Sequence, residues 1–255
     1  QAIERTPFVK RLMDAQLEME WAKATLLSDP PEKIQAQAPT QALIAEQLRQ
    51  ATGSVEHSLD VVSPYFVPTD EGVKLFTDLR AQGLRVRILT NSLQATDVSI
   101  VHSGYAKYRK PLLQHGVELY EMLQQAPEYS SDEERLKLNL TSLGSSGSSL
   151  HSKTFAVDGQ RLFIGSFNFD PRSANLNTEM GLMIESPRMA QQVHDRLSYE
   201  MPQRSYRLSL SGDGDLRWHS GVGDPPPVYD KEPNTRCYQR WILRFLGWLP
   251  IEGLL

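Results

Sequence analysis

Six residues between positions 151 and 168 have side chains and a spacing that suit the handling of phosphate. In the run HSKTFAVDGQRLFIGSFN, one residue separates a histidine from a lysine, and four residues separate that lysine from an aspartate. After six more residues comes the sequence Gly-Ser-x-Asn. Each residue type makes up only a few per cent of an average protein, so this combination arises by chance at on the order of one in 10⁸ positions. The pattern therefore indicates a functional site, made of His151, Lys153, Asp158, Gly165, Ser166 and Asn168.

The spacing predicts that two of these side chains converge on one ligand. Alternation along a strand over 150–157 directs His151 and Lys153 to the same face. An imidazole near neutral pH can attack phosphorus or carry a proton, and an ammonium supplies a positive charge. Asp158 and the glycine after it form a turn signal, so we expect the chain to return as a strand over 161–165.

The second strand brings further polar groups to the same end of the sheet. Gly165 permits close approach of the backbone, while the Ser166 hydroxyl and the Asn168 amide are donors for phosphoryl oxygens. Glu179 is the candidate carboxylate for orienting the imidazole, and the alternative is a solvated glutamate at a strand end. For Asp158, its place in a turn favours a structural hydrogen-bonding role over catalysis.

Four other residues are candidates for substrate binding. Tyr65 ends a strand, where α/β sheets bind ligands, although aromatic residues of strands often only pack. Arg172 can contact phosphate or pair with a carboxylate. His102 and Tyr105, with Arg109, share one helix face and are consistent either with a headgroup pocket or with ordinary helix surface and core.

The surrounding pattern predicts an α/β fold, with helices on the faces of a mixed, largely parallel sheet. Helical patterns cover 8–27, 40–51, 69–82, 103–114 and 187–200, and strand patterns cover 58–66, 85–90, 117–120, 150–157, 161–165 and 180–185. Residues 124–149 are polar and predict a loop that leads into the site. We expect three segments: a helical N-terminal segment (1–54), a domain that carries the motif (55–204), and a C-terminal hairpin, Pro-rich loop and helix (205–255).

Composition limits the partners. With 255 residues and a net charge of −4, the chain lacks the broad basic face that non-specific nucleic-acid binding needs, so no nucleic-acid partner is expected. The single cysteine, Cys237, excludes an intrachain disulfide. No run of 18 to 20 apolar residues is present. The aromatic segment 237–249 is consistent either with a helix packed on the domain or with a helix lying on a lipid surface.

Residues 151–179 resemble the C-terminal HKD motif of the phospholipase D superfamily. The runs 168–173 and 177–179 are similar to the bacterial cardiolipin synthase branch, particularly its C type, and similarity extends over about 55–255, including 63–68, 90–92, Asp97, 101–105, 108–110, 116–121 and 249–252. The resemblance implies a phospholipase D-like α-β-α sandwich. It also implies two-step phosphoryl transfer through a phosphohistidine, without a metal or cofactor.

The chain departs from that family in one respect, because the family uses two motifs and this chain has one. The remaining histidines stand in no second His-x-Lys arrangement: His57, His102, His115, His194 and His219. The second half is expected either from a region before Gln1, which we favour, or from a second copy across a twofold interface. Resemblance to the C-terminal motif implies that His151 acts as acid and base, and in a homodimer the roles would be shared.

The resemblance implies a phosphatidyltransferase that acts on phosphatidylglycerol and, as a second candidate, phosphatidylethanolamine. Its expected location is the cytoplasmic face of the bacterial inner membrane, as a peripheral protein. Two alternatives stay open: a phospholipase D-type hydrolase or homodimeric HKD nuclease, and a module that binds lipid without turnover.

Overall fold

The computed structural model describes residues 13–14, 20–123, 150–249 and 253. The strands are β1 (Lys23–Ser28), β2 (Ser58–Val62), β3 (Arg85–Asn91), β4 (Glu118–Met122), β5 (Lys153–Val157), β6 (Arg161–Gly165), β7 (Met180–Glu185), β8 (Ser205–Leu210), β9 (Leu216–Ser220) and β10 (Val228–Tyr229). The α-helices are α1 (Ile44–Thr52), α2 (Thr69–Ala81), α3 (Ser99–Ala106), α4 (Arg109–Gln114), α5 (Pro171–Asn175), α6 (Pro187–Tyr199), α7 (Met201–Arg204) and α8 (Cys237–Leu246). Two short 3-10 helices cover Pro31–Gln35 and Thr40–Ala42.

All the strands named above join one mixed sheet in the order β1-β7-β6-β5-β2-β3-β4-β8-β9-β10. Only the pairs β2–β3 and β3–β4 are parallel, and every other neighbouring pair is antiparallel. The α/β class and the mixed sheet are confirmed, but the expectation of a largely parallel sheet is wrong outside these three strands. Helical crossovers join β2 to β3 and β3 to β4, and such crossovers produce parallel pairs. A tight turn joins β5 to β6, and short connections of this kind produce antiparallel pairs.

Helices cover both faces of the sheet, as the sandwich requires. On one face α6 packs against β2, β5 and β6, with Ala190, Val193 and Leu197 buried. On the other face α2 packs on β3 and α4 on β4 and β8, while α1 packs on β1 and β7. The middle strand β2 is buried along its whole length. The ends of the central strands are thus the part of the sheet that can hold an accessible site.

Two predicted helices differ from the structure. The helix predicted over 8–27 is wrong in its last part, where β1 pairs antiparallel with β7; residues 1–12 and 15–19 lie outside the described residues. The helix predicted over 103–114 is two helices, α3 and α4, of which the first begins at Ser99. The loop predicted over 124–149 also lies outside the described residues. Strands from all three expected segments join the sheet, and boundaries at 54 and 204 stay predictions.

Candidate active site at the ends of the central strands

His151 precedes β5 at the edge where β2 and β3 end. The side chain of Asn91, the last residue of β3, holds the backbone just before it: Asn91 Oδ1 accepts from Leu150 N at 3.0 Å, and Asn91 Nδ2 donates to Leu150 O at 3.3 Å. The imidazole of His151 is exposed and has no hydrogen bond within the described part of the chain. Its backbone is therefore fixed while its ring stays available to a ligand or to a partner group.

Lys153, the first residue of β5, contacts the backbone of His151. Its side chain is half-buried, and Nζ donates to the carbonyl oxygen of His151 at 3.1 Å. Burial lowers the pKa of Lys153 below its ordinary value, against the opposing effect of the carboxylates of Glu179, Asp170 and Asp97. Since little water surrounds this ammonium, a phosphate that reaches it gains a stronger electrostatic interaction than it would at the surface.

Tyr65 joins the cluster from the loop after β2. The Lys153 ammonium lies 6.0 Å from the centre of the tyrosine ring, and the Tyr65 hydroxyl donates to Asp97 Oδ1 at 2.8 Å. Burial and then the Asp97 carboxylate raise the pKa of Tyr65 to about 12. The phenol therefore keeps its proton at physiological pH and holds Asp97 near the lysine.

Glu179 has different partners from those that the sequence predicts. Its buried carboxylate accepts from the hydroxyls of Ser166 and Ser173, the latter at 3.1 Å, and no hydrogen bond joins it to the imidazole of His151 in the described residues. The predicted orienting contact is thus replaced by contacts with two serines. Ser166 also accepts from Met180 N at 3.1 Å, so this exposed hydroxyl is held in one position at the rim of the site.

Asn168 lies at the start of a tight connection to α5. The Asp170 carboxylate caps that helix by accepting from Ser173 N at 2.6 Å, and burial raises the pKa of Asp170. Asn168 is buried, and its Oδ1 has no hydrogen-bond partner among the described residues. Such an unpaired oxygen costs about 1–3 kcal/mol, which marks a position shaped by something other than stability.

A buried ion pair from the N-terminal segment supports the site, and sequence reasoning did not identify it. Lys33 Nζ lies 2.6 Å from Asp29 Oδ2 and donates to the carbonyl of Ser173 at 2.8 Å, with both side chains almost completely buried. The Asp29 carboxylate also accepts from Glu179 N at 2.9 Å and from Ile44 N at 2.8 Å, at the start of α1. In the sequence, Asp29 is visible only as part of an Asp-Pro-Pro helix breaker.

Gly165 has a packing role, and its predicted contact with substrate stays a prediction. A Cβ atom at this position would lie 2.5 Å from the carbonyl oxygen of Met180 and 2.8 Å from Gly181 Cα, across the β6–β7 pair. It would also lie 2.6 Å from the ring of Phe163. The glycine is therefore required where two strands close over an aromatic ring.

Asp158 lies at the opposite end of β5 from His151, roughly 20 Å away along an extended chain. Its carboxylate accepts from the backbone N–H groups of Glu56, His57 and Ser58 at 2.7–3.1 Å. Burial alone would raise the pKa of Asp158, but these hydrogen bonds, first that of Ser58, lower it. Asp158 and the next residue have positive φ angles of 57° and 62°, as a type I′ turn requires. The structural interpretation fits, and the arrangement leaves Asp158 no catalytic contact with the cluster.

His102 and Tyr105 are buried and do not line an open headgroup pocket as proposed from the sequence. His102 Nε2 lies 2.6 Å from Arg109 Nη2 and 3.1 Å from Glu232 Oε1, and Arg109 Nε donates to Glu121 at 2.8 Å. Tyr105 packs against Phe66, with 5.7 Å between ring centres. Their shared helix face is therefore core, the alternative that the spacing left open.

Arg172 is exposed on α5 and forms no ion pair within the described part of the chain. Pairing with a carboxylate is thus not observed, and contact with phosphate stays a prediction.

Within the described residues, no group of three or more His, Cys, Asp or Glu side chains is arranged to hold a metal ion.

The cluster can bind a tetrahedral anion and move one proton. It combines an ammonium, a hydroxyl and a carboxamide with an available imidazole. The other histidines lie elsewhere: His194 bonds to Asp60, His102 belongs to the buried network described above, His57 lies beside Asp158, His115 bonds to the carbonyl of Pro111 and His219 lies beside Ser209. A reaction that needs two imidazoles would therefore need a second one from elsewhere.

Comparison with known proteins identifies relatives along the whole chain. Residues 44–201 match the family model described as "Cardiolipin synthase, PLD-like domain". Cardiolipin synthase C of Escherichia coli (strain K12) is 42% identical over 253 residues, covering 99% of this chain and 52% of that protein. An uncharacterized protein of Helicobacter pylori (strain ATCC 700392 / 26695) is 30% identical, covering 97% of this chain and 47% of its own length. The chain spans about half the length of these curated relatives.

Solved structures with a similar arrangement are more distant. Nuc of Salmonella typhimurium, a phospholipase D family member, has 16% identity and a TM-score of 0.49, covering 73% of this chain and 99% of that one. Phosphatidylserine synthase of Haemophilus influenzae Rd KW20 has 15% identity and a TM-score of 0.47, covering 65% of this chain and 36% of that one. Because the family model matches more than half of the sequence, and the matched residues include His151 to Glu179, this chain belongs to the cardiolipin synthase family of phospholipase D-like domains.

Proposed function

We propose that this chain supplies one half-site of a phosphatidyltransferase of the cardiolipin synthase type. The observation that carries the proposal is the exposed imidazole of His151 next to the half-buried Lys153, whose ammonium donates to the His151 carbonyl. Lys153 pairs with Gly165 across β5 and β6, and Ser166 and Asn168 follow Gly165 in the chain. The ammonium can offset the charge of a lipid phosphodiester. The imidazole, which forms no hydrogen bond with the residues that the structure describes, can exchange a proton at the same phosphate.

The proposed reaction has two steps. First, an imidazole nitrogen bonds to phosphorus, the bond from phosphorus to the headgroup oxygen breaks, and the leaving alcohol takes a proton from a second imidazole. That second imidazole then removes the proton from an acceptor hydroxyl, whose oxygen bonds to phosphorus and releases the first imidazole. Because His151 belongs to a motif like the family's C-terminal one, we assign it the acid and base role. The nucleophile then comes from a second half, either a region outside this chain or a second copy.

The substrates that we propose are phosphatidylglycerol and, as a second donor or acceptor, phosphatidylethanolamine. Among the described helices, none has the length and apolar character to cross a bilayer. We propose peripheral binding to the cytoplasmic face of the bacterial inner membrane. Nucleic acid is not an expected partner, since the chain carries a net charge of −4.

The role of His151 can be tested with two leaving groups, in the full-length protein that contains this chain. With phosphatidylglycerol, H151A should reduce cardiolipin formation by about 10²–10⁴-fold, because an alkoxide leaves poorly without a proton. With a p-nitrophenyl phosphodiester, whose leaving group needs no proton, the loss should be much smaller. The matched control is H115A, which removes an exposed histidine at the end of α4 and should change neither rate.

Three results would contradict the proposal in different ways. Equal losses with both substrates would make His151 the nucleophile and overturn the assigned role. Cardiolipin yield unchanged by H151A would end the proposal. Phosphatidic acid as the sole product would establish a hydrolase in place of a transferase.

A further inference from the structure

Helix α8 exposes an apolar stripe. The stripe begins on the helix and continues just past its end at Leu246, and its residues have 39–91% of their surface exposed: Tyr238, Trp241, Ile242, Phe245, Trp248 and Leu249. The helix packs on α3 through its opposite side, where Leu243 is the buried residue and Gly247 lies near the carbonyl of Ser103. An amphipathic helix of a globular protein normally turns its apolar side to the core, so α8 is oriented the other way.

A positively charged cavity of about 870 Å³ lies beside this stripe. Seven basic and three acidic side chains line it, whereas the chain as a whole carries a net charge of −4. Arg217, Lys231 and Arg244 have no carboxylate partner within the described residues. The lining acid Glu232 is already engaged by Arg109 at 2.6 Å. The cavity thus presents unneutralised cations next to exposed tryptophans.

We propose that the α8 stripe and this cavity together form a docking surface for an anionic phospholipid membrane. Tryptophan and phenylalanine side chains favour the depth of the headgroups, and arginine guanidinium groups pair with phosphate. The charge of the cavity is complementary to anionic lipid, which argues for a lipid surface over an apolar protein partner. With α8 parallel to the membrane plane, the stripe enters the lipid while the cations of the cavity contact the phosphates.

This docking surface is separate from the half-site. The cavity is lined by residues of β9, and five strand positions separate β9 from β5 in the sheet order, a distance of roughly 24 Å. Vesicle binding should therefore not depend on the chemistry at His151. The inference rests on the peripheral membrane binding proposed above and assigns the surface that makes it, and its test does not require turnover.

Flotation of the whole chain with vesicles tests the proposal. The vesicles contain phosphatidylcholine alone or phosphatidylcholine mixed with phosphatidylglycerol. We expect the chain to bind the mixed vesicles, less strongly as salt is raised, and to bind the neutral vesicles weakly. K231A/R244A should weaken binding to mixed vesicles by about tenfold or more, since each basic residue near an anionic surface contributes about fivefold. W241A/W248A should weaken binding to both kinds of vesicle.

Matched controls exist elsewhere on the surface. Trp21 is 95% exposed and lies off α8, so W21A should bind like the unmodified chain. K23A/K74A changes the net charge as K231A/R244A does, at lysines that are paired with Glu185 and Asp78, and should bind as before. H151A should also retain full binding, which separates a failure of docking from a failure of the proposed reaction. All these positions are exposed, so the urea midpoints of the variants should agree.

The proposal is overturned if the unmodified chain does not bind mixed vesicles. It is equally overturned if W21A and W241A/W248A bind alike. A decrease in oligomer mass for W241A/W248A, with vesicle binding unchanged, would show that another protein surface covers the stripe.

Discussion

At the scale of single residues, Lys153 shows how burial prepares a charge for phosphate. Its ammonium is half-buried, and three carboxylates nearby only partly offset the loss of water. K153M should weaken binding of a soluble dialkyl phosphodiester by about ten- to a hundredfold, because hydrogen bonds to charged groups contribute about 1.5–3 kcal/mol. Isothermal titration calorimetry measures the change, and K74M, at an exposed lysine on α2, is the control.

The lowered pKa of Lys153 also predicts how this binding depends on pH. The side chain is cationic below its pKa, so the affinity for the phosphodiester should be full at neutral pH. As the pH is raised, this affinity should begin to fall at a lower pH than it would with an ordinary lysine. Tyr65 does not contribute to this loss, since its pKa is about 12. K153R, whose guanidinium stays charged, should move the alkaline loss to higher pH. If the affinity of K153R fell over the same alkaline pH range as that of the unmodified chain, the loss would come from the titration of another group.

At the scale of elements, the outcome of prediction depends on whether the signal is local. Helix α2 is predicted to within one residue because its pattern and the glycine that follows it are contained in the segment itself. Strand β1 is missed because its helix-like spacing is overridden by pairing with β7, more than 150 residues away. The parallel order of β2, β3 and β4 follows from their crossovers, whereas the antiparallel pairs β4–β8 and β1–β7 depend on long-range contacts.

The same reasoning applies to the candidate site. The turn at Asp158 follows from its local signal, and the contact of Lys153 with the His151 backbone follows from their separation of two residues. The partners of Glu179 could not be predicted, because the sequence contains no sign that Ser173 and the Asp29–Lys33 pair lie next to Glu179. Lysines are seldom buried, so spacing alone gave no reason to place Lys33 in the interior.

The Asp29–Lys33 pair leads to a prediction about the N-terminal segment. K33M should lower the free energy of unfolding by about 3–5 kcal/mol, because it leaves the buried carboxylate of Asp29 without its cation. K23M, at an exposed pair with Glu185, should lower it by less than about 1 kcal/mol. Urea unfolding compares the two. Adding D29N to K33M should recover part of the loss, and a mild effect of K33M would mean that water reaches the pair.

The link from this pair to Glu179 gives K33M a second expected effect. Asp29 accepts from the backbone N–H of Glu179, and Lys33 donates to the backbone carbonyl of Ser173. K33M therefore weakens the support of both residues that form the Ser173–Glu179 hydrogen bond. The folded fraction of K33M should bind a phosphodiester more weakly than K23M does, in conditions where both are folded. Equal affinities would limit the pair to a role in stability.

At the scale of the whole molecule, the chain contains one HKD motif, and the described site has one available imidazole. The proposed two-step reaction needs one imidazole as nucleophile and a second as acid and base. We therefore expect the isolated chain to bind lipid without forming cardiolipin, and to become active when a second half is supplied within a longer protein.

Light scattering and a cardiolipin assay on the same sample test this expectation. A monomer near 28.8 kDa without turnover agrees with it. An active dimer of twice that mass would contradict it, because two copies would then supply both imidazoles across a twofold interface. In that case, mixing with H151A chains should reduce activity by more than the fraction of H151A added, since each mixed dimer lacks one of the two groups. A decrease in simple proportion would mean that each copy acts alone, and the requirement for two imidazoles would have to be abandoned.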